Sequence, residues 1–155
     1  MNWECRNPNA TAQAPAVIVQ LLEKLAVPYQ VRAERPGQPS EARLQAVLVD
    51  DAIGALLVLY PRSHMLDLSR LAELTGRQLT AVKPERLERM LGKHNLAALP
   101  GLPPLTSSPC LYEERLLQVP SLLIESGQPG VLLEIPTEAF KALLSKASAA
   151  RFGEP

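Results

Sequence analysis

Proline is the residue type that most constrains this chain, because fifteen prolines are spread over its 155 residues. That share is about twice the roughly 5% found in an average protein. A proline ring fixes φ and removes a backbone donor, so it ends most helices and is excluded from central strands. The spacing therefore predicts short helices and strands joined by rigid loops, and it excludes a bundle of long helices.

The remaining composition is typical of one globular domain. Apolar residues make up 46% of the chain and charged residues 21%, which is close to the globular average. The length is within the usual range for a single hydrophobic core. Because aromatic residues make up only 4%, we expect a core built mainly from aliphatic side chains.

The formal net charge is zero, because the chain contains sixteen Lys and Arg residues and sixteen Asp and Glu residues. Proteins that bind nucleic acid through phosphates usually carry a basic excess, so any such contact must come from a local patch. No window approaches about 18 uninterrupted apolar residues, and the N-terminus lacks the apolar core of a signal peptide. These features predict a cytoplasmic, bacterial-style protein without a membrane span.

Residues that usually hold metals or act as nucleophiles are few and scattered. Cys5 and Cys110 follow no metal-ligand spacing, and His64 and His94 lie thirty residues apart, so we expect no metal site. The sequence has no Gly-x-Ser-x-Gly elbow, P-loop or dinucleotide glycine motif, and we expect no cofactor. Cys110 follows a proline, which favours a small core residue over a nucleophile.

Hydrophobic periodicity and punctuating residues predict alternating helices and strands. Strands are predicted at 29–32, 44–49, 55–60, 78–82, 110–117, 121–125 and 131–135. A first helix is predicted between Pro15 and Pro28, and a second from a cap at Asp67 or Ser69 to Gly76. A third is predicted from Pro84 through Leu91, with Gly92 at its end. A fourth follows a cap at Thr137, and its buried anchors are Phe140, Leu143 and Leu144. The strands at 44–49 and 55–60 predict a central hairpin.

Three segments are predicted along the chain. Residues 1–13 are small and polar and predict a disordered lead-in. Residues 14–145 form the predicted domain. Residues 146–155 resemble a linker, which favours a further domain in a longer protein.

A basic helix face is one candidate for binding. Lys83, Arg86, Arg89 and Lys93 recur every three or four residues, so they share one helical face that could meet a phosphate backbone. The alternative is a solvated face with i,i+4 pairing between Glu85 and Arg89.

The loop at residues 95–109 is the second candidate. It contains the run Pro-Gly-Leu-Pro-Pro at 100–104. Proline makes a loop rigid and glycine lets backbone approach a ligand closely, so such a loop can form the wall of a small-molecule pocket. Its alternative is a plain connection between the two halves of the domain.

The order of three segments resembles a known family. They are the helix and strand at 16–30, the helix at 66–76 that opens with Leu-Asp-Leu, and the Ser-Gly, Gly and Leu-Glu-Ile positions within 126–135. Over about residues 15–145 the chain is similar to the YbaK/prolyl-tRNA-synthetase-associated editing domains, which hydrolyse mischarged aminoacyl-tRNA. The resemblance implies an α/β (α+β) fold with a mixed, mostly antiparallel, barrel-like central sheet and about four flanking helices. It also implies aminoacyl-tRNA deacylase activity, with the aminoacylated 3′ end of tRNA as partner.

Two positions depart from the family pattern. The family's Lys-Thr pair falls on Gln45 and Ala46, and the glycine that opens its Gly-x-x-x-Pro loop falls on Pro100, while Gly101 and Pro104 are kept. The resemblance implies that the family lysine binds or orients the 3′-terminal nucleotide through its positive charge, whereas glutamine carries no charge. Proline in place of glycine removes a donor and the freedom to take a positive φ.

The family layout implies a substrate pocket near these departures. It would lie between the strand of Gln45, residues 60–64 and the loop at 100–104, with Gly127 nearby. Tyr60, Ser63 and His64 would supply polar contacts, although His64 could equally be a plain turn residue. We therefore expect a deacylase-like domain with weakened or lost hydrolysis. The alternative is a non-catalytic ligand-binding, regulatory or interaction module of a larger signalling protein.

Overall fold

The computed structural model describes residues 13–154, so most of the predicted lead-in at 1–13 lies outside the described residues. Helices in this range are α1 (Ala16–Lys24), α2 (Leu68–Thr75), α3 (Pro84–Gly92) and α4 (Thr137–Phe140). Strands are β1 (Gln30–Ala33), β2 (Leu44–Asp50), β3 (Ala55–Pro61), β4 (Met65–Leu66), β5 (Thr80–Ala81), β6 (Cys110–Glu113), β7 (Ser121–Glu125), β8 (Val131–Pro136), β9 (Ala147–Ala150) and β10 (Gly153–Glu154).

The central sheet has the strand order β5-β2-β3-β6-β9. Strands β5, β2 and β3 are antiparallel, whereas β6 and β9 run parallel to β3. A second, antiparallel sheet has the order β1-β8-β7, and β4 pairs with β10. The mixed α+β prediction is confirmed, although the central sheet has two antiparallel and two parallel strand pairs. The sheets in the described part of the chain are open and show no barrel closure.

The hairpin of β2 and β3 separates two hydrophobic clusters. Leu44 and Leu48 face the larger cluster, which also contains residues of α1, β7 and β8, while Val49 faces the smaller one, which contains Leu71 of α2 and Phe152. Successive side chains of a strand point to opposite faces of the sheet, which explains this division. Both clusters are mainly aliphatic, as the composition predicts.

Three of the predicted helix boundaries are set by local backbone chemistry. Asp67 caps α2, since its carboxylate accepts a hydrogen bond from the Arg70 backbone N at 3.1 Å, and Gly76 ends the helix in the left-handed conformation at φ 68°. Pro84 is the first residue of α3. A backbone N–H at this position would have no acceptor within the helix, so proline costs no hydrogen bond there. These boundaries are confirmed because they depend on local backbone chemistry.

Two local predictions differ from the structure. The strand predicted at 110–117 ends at Glu113 and continues as a 3-10 turn over Glu114–Gln118. Thr137 does not cap the last helix, because its buried hydroxyl donates to the Val119 carbonyl oxygen. Thr137 is held by a partner 18 positions away, whereas the 3-10 turn is capped by Glu113, whose carboxylate accepts a hydrogen bond from the Arg115 backbone N.

The C-terminal residues are part of the fold. Where the sequence favours a linker from 146 onward, β9 pairs with β6 and β10 pairs with β4. Phe152 between them is only 2% exposed. The segment is mostly small residues, so its strand pairing has no clear hydrophobic period in the sequence.

Candidate functional site

Gln45 and Tyr60 form a directly opposed pair on β2 and β3. Gln45 is exposed and Tyr60 is half-buried. Burial raises the pKa of Tyr60, so its phenol stays neutral at physiological pH and can donate or accept a hydrogen bond. The pair therefore offers hydrogen-bonding groups without a positive charge.

The loop after α3 contacts β2 on the other face of the hairpin. Pro100 and Gly101 are buried, and a Cβ placed on Gly101 would lie 2.2 Å from the Cδ2 of Leu44. Leu44 faces the larger cluster, whereas Tyr60 packs against the smaller one. Because Gln45 follows Leu44 in the strand, its side chain alternates to the Tyr60 face.

Gly127 holds this loop against the turn between β7 and β8. Its carbonyl oxygen accepts hydrogen bonds from the backbone N of Ala97 at 2.9 Å and of Ala98 at 3.1 Å. The glycine has φ 100°, and a Cβ there would lie 2.7 Å from the Cδ2 of Leu96. The structure thus brings Gly127 and the loop together, on the face of the hairpin opposite to that of Gln45 and Tyr60.

Pro104 is exposed and lines an open cleft of about 630 Å³, which is also lined by Cys110. Burial raises the pKa of the Cys110 thiol to about 12. The group is therefore a neutral thiol at physiological pH and not a nucleophile. Ala46, the other member of the expected family pair, packs at the larger cluster.

Ser63 and His64 occupy the turn that follows β3. The Ser63 Oγ lies 3.2 Å from the His64 Nδ1, and the His64 backbone N donates to the Pro61 carbonyl oxygen at 2.9 Å. His64 also lies against β10, since a Cβ on Gly153 would be 3.1 Å from the His64 Cβ. Among residues 13–154, the hydrogen bonds of this turn do not reach the loop at 100–104.

The predicted basic face is present on α3. Lys83 occupies the N-cap position, Lys93 the C-cap, and all four cations are exposed: Lys83, Arg86, Arg89 and Lys93. Arg86 forms an ion pair with Asp50 of β2. Arg77, a further cation that precedes α3, forms an ion pair with Asp51 at 2.6 Å and lowers the pKa of that carboxyl. The charge of Arg77 is therefore balanced by Asp51.

Sequence reasoning missed a group of arginines at the open end of the hairpin. Arg43 precedes β2 and Arg62 follows β3, and the Arg62 backbone N donates to the Arg43 carbonyl oxygen at 2.8 Å. Together with Arg35 they line a cavity of about 430 Å³. Arg43 and Arg62 each lie one residue outside the Leu44–Pro61 pair. Their equivalent positions at the two ends of the predicted hairpin could therefore have indicated that they are neighbours.

A buried carboxylate was also missed. Glu113, at the end of β6, is fully buried and accepts hydrogen bonds from the Arg115 side chain and from the backbone N of Phe152 and of Gly153. It joins the central sheet to the C-terminal segment. This role depends on Arg115 and on residues about forty positions away, so no local motif marks it.

The described residues offer no grouped set of metal ligands. No cluster of three or more His, Cys, Asp or Glu side chains that could hold an ion occurs between residues 13 and 154. Within the same range, no helix has the length and apolar character needed to span a membrane.

The sequence profile of the aminoacyl-tRNA editing domain matches residues 26–143. The chain belongs to this family. The match covers more than half of the chain and includes the hairpin, α2, α3, the proline-rich loop and β6 to β8. No curated protein is a significant match to the sequence.

Solved structures extend the comparison. A candidate signal transduction protein from Marinobacter aquaeolei VT8 is 29% identical, with a TM-score of 0.82 over 90% of this chain. The editing domain here spans only 31% of that protein. A candidate trans-editing enzyme for prolyl-tRNA synthetase is 23% identical, with a TM-score of 0.72, and the match covers 96% of this chain and 99% of that one. At this identity the second structure supports the fold alone.

Proposed function

We propose that this editing domain binds the aminoacylated 3′ end of tRNA and hydrolyses the ester weakly or not at all. The observation that carries the proposal is the Gln45–Tyr60 pair, which is neutral where the family pattern has a lysine. A cation would attract the phosphate or ribose of the terminal nucleotide more strongly than an amide does. The expected consequence is a binding site that orients the substrate poorly.

The loop at 100–104 supports the same conclusion. Pro100 is buried and has no backbone N–H to donate, and Gly101 is buried against Leu44 of β2. Backbone donors of such a loop would normally position the ester and a water molecule. Here the loop is ordered by packing and by Gly127, which leaves fewer groups to stabilise charge developing during hydrolysis.

The exposed cations of α3 would contribute to binding the rest of the tRNA. Lys83, Arg89 and Lys93 have no ion-pair partner among residues 13–154, whereas Arg86 is paired with Asp50. A local patch of this kind binds phosphates without requiring a net positive chain. It would position the acceptor end without carrying specificity for the amino acid.

Gln45→Lys is expected to raise the deacylation rate of a mischarged tRNA by about tenfold. A charge-assisted hydrogen bond is worth roughly 1.4 kcal/mol more than a neutral one, which corresponds to one factor of ten. The measurement is release of radiolabelled amino acid from several mischarged tRNAs. Gln78→Lys, at an exposed position, adds the same charge elsewhere and should leave the rate unchanged.

Two results would contradict the proposal. Rapid turnover by the unmodified protein would show that Gln45 is sufficient for catalysis. Equal rates for Gln45→Lys and Gln78→Lys would show that the charge at position 45 is irrelevant.

A second candidate function is a non-catalytic module in a larger signalling protein. It is favoured by the 29% identity to a candidate signal transduction protein of which this chain covers 31%. In that case Gln45→Lys would neither restore hydrolysis nor change tRNA affinity. The same assay, with tRNA binding measured alongside, therefore separates the two functions.

A further inference from the structure

The arginine-lined cavity at the open end of the β2–β3 hairpin has the composition of an anion site. We call it the arginine cavity, and it has a volume of about 430 Å³. Its polar lining consists of Glu34, Arg35, Gln38, Ser40, Arg43 and Arg62. Three arginines and one glutamate therefore line the same space, and guanidinium groups match phosphate geometry well.

Arg43 is held in place but is incompletely satisfied. Its side chain is 11% exposed, and its Nη2 lies 3.4 Å from Glu34 and 3.7 Å from Glu125. Both distances exceed the 2.7–2.9 Å that is typical of charge-assisted hydrogen bonds. The Nε is buried without a hydrogen-bond partner in the described chain. A buried donor left unpaired is costly, and a bound anion or water is the usual explanation.

The carboxylates near Arg43 do not cancel the positive charge of the cavity. Counting Glu125 behind Arg43 as well as Glu34, the arginines outnumber the carboxylates three to two. Burial raises the pKa of Glu125, while the charge of Arg43 acts in the opposite direction. Arg62, which has no carboxylate partner among residues 13–154, provides a positive charge that favours an anionic ligand.

Arg62 supplies a cation with no competing partner. Its side chain is exposed, and it forms no hydrogen bond or ion pair with residues 13–154. The hydrogen bond from the Arg62 backbone N to the Arg43 carbonyl oxygen places the two residues side by side at this end of the hairpin, and both line the cavity. Gln38 orders the opposite wall, since its amide accepts from the Arg35 backbone N at 3.1 Å and donates to the Ala33 carbonyl oxygen at 3.3 Å.

We propose that the arginine cavity binds a backbone phosphate of the single-stranded 3′ end of RNA. This inference rests on the proposed function for its choice of RNA as the source of the phosphate. Arg43 and Arg62 flank the Leu44–Pro61 pair, which is one register position from Gln45 and Tyr60. Arginines at the adjacent end of the hairpin therefore supply the positive charge that position 45 lacks. They bind the RNA strand but do not contact the ester.

The test is RNA binding by Arg62→Ala. The probe is a 5′-labelled single-stranded RNA ending in CCA, followed by fluorescence anisotropy across a series of salt concentrations. We expect about fivefold weaker binding at low salt, and a salt slope smaller by about 0.7 for one lost phosphate contact. Arg70→Ala, at an exposed arginine of α2 outside the cavity, should match the unmodified protein in both measurements.

Three controls make the outcome decisive. Thermal melting checks that Arg62→Ala is folded, and Arg62→Lys should retain much of the affinity because the charge remains. Inorganic phosphate, added as a competitor, should displace the RNA in the unmodified protein more effectively than in Arg62→Ala. Equal RNA affinities and salt slopes for Arg62→Ala and Arg70→Ala, or no RNA binding by the unmodified protein, would overturn the inference.

Failure of this inference is distinguishable from failure of the proposed function. If Gln45→Lys gains no deacylation but Arg62→Ala still weakens RNA binding, the phosphate site stands and the catalytic proposal fails. If Gln45→Lys gains activity while Arg62→Ala binds RNA normally, the reverse holds. Binding of inorganic phosphate at the arginine cavity without RNA binding would assign the site to a free anion and overturn the choice of RNA.

Discussion

Glu113→Gln is expected to lower the free energy of unfolding by about 3 kcal/mol at pH 7, because it removes a buried charge from five donors. The donors are the Arg115 backbone N, Nε and Nη2 at 3.2, 2.8 and 3.1 Å, and the backbone N of Phe152 and Gly153 at 2.7 and 2.8 Å. Glutamine would present an NH₂ group to some of these donors and leave Arg115 without its carboxylate. Urea unfolding followed by circular dichroism measures the change.

The same carboxylate predicts a pH dependence. Burial acts to raise the pKa of Glu113, but the hydrogen bonds from Arg115, Gly153 and Phe152 outweigh it and lower the pKa from 4.5 to about 2. A lowered pKa stabilises the folded state above the unfolded value, and this contribution is lost as pH falls from about 4.5 towards 2. The stability difference between the unmodified protein and Glu113→Gln should therefore shrink between pH 5 and pH 2, measured by urea unfolding at each pH.

Glu114→Gln is the matched control for both measurements. Glu114 is the next residue, it is 44% exposed, and it pairs with the exposed Arg151. Exposed pairs contribute at most about 1 kcal/mol, so this variant should stay close to the unmodified protein. Equal destabilisation by the two substitutions would show that the buried hydrogen bonds of Glu113 do not hold the C-terminal segment in place.

Gly127→Ala is expected to destabilise the fold by about 3 kcal/mol and to displace the loop at 95–109. One part of the cost is backbone strain of roughly 1–2 kcal/mol, because φ at this position is 100°. The other part is overpacking, typically 1–3 kcal/mol, since the new Cβ would lie 2.7 Å from the Cδ2 of the buried Leu96. Any shift would also disturb the bonds from Ala97 and Ala98 to the Gly127 carbonyl oxygen.

Gly130→Ala separates these two contributions. Gly130 lies in the same turn with φ 81°, but a Cβ there would meet nothing within 4 Å. It should therefore show only the strain component, roughly 1 kcal/mol. Denaturant midpoints and slopes of both variants provide the comparison. A Gly127→Ala variant no less stable than Gly130→Ala would contradict the close packing of the turn on Leu96.

Local structure was predictable from the sequence wherever neighbouring residues determine the backbone conformation. Asp67, Gly76 and Pro84 set helix boundaries through caps and fixed dihedrals, and these contacts lie within a few residues. The hairpin of β2 and β3 followed from two apolar runs and a polar turn. The family resemblance likewise depended on segments whose order survives in the sequence, and it is confirmed over residues 26–143.

The candidate site was less predictable, because strand alternation and long-range packing decide it. Gln45 and Tyr60 were expected beside Gly101 in one pocket, yet adjacent residues of β2 face opposite clusters. Arg43 and Arg62 attracted no attention as isolated residues, although hairpin pairing places them together. Because these arginines are far apart in the sequence, no local pattern shows that they line one cavity.

By itself, the sequence determined the short elements, the aliphatic core and the editing-domain family, since prolines, caps and apolar periods act over a few residues. Only the tertiary structure decided the arginine cavity, the burial of Glu113 and the strands of the C-terminal segment. Each of these depends on partners brought together by the folded chain, such as Glu113 and Gly153, which lie 40 positions apart. Such contacts leave no local pattern, because they are formed only when the sheets pack.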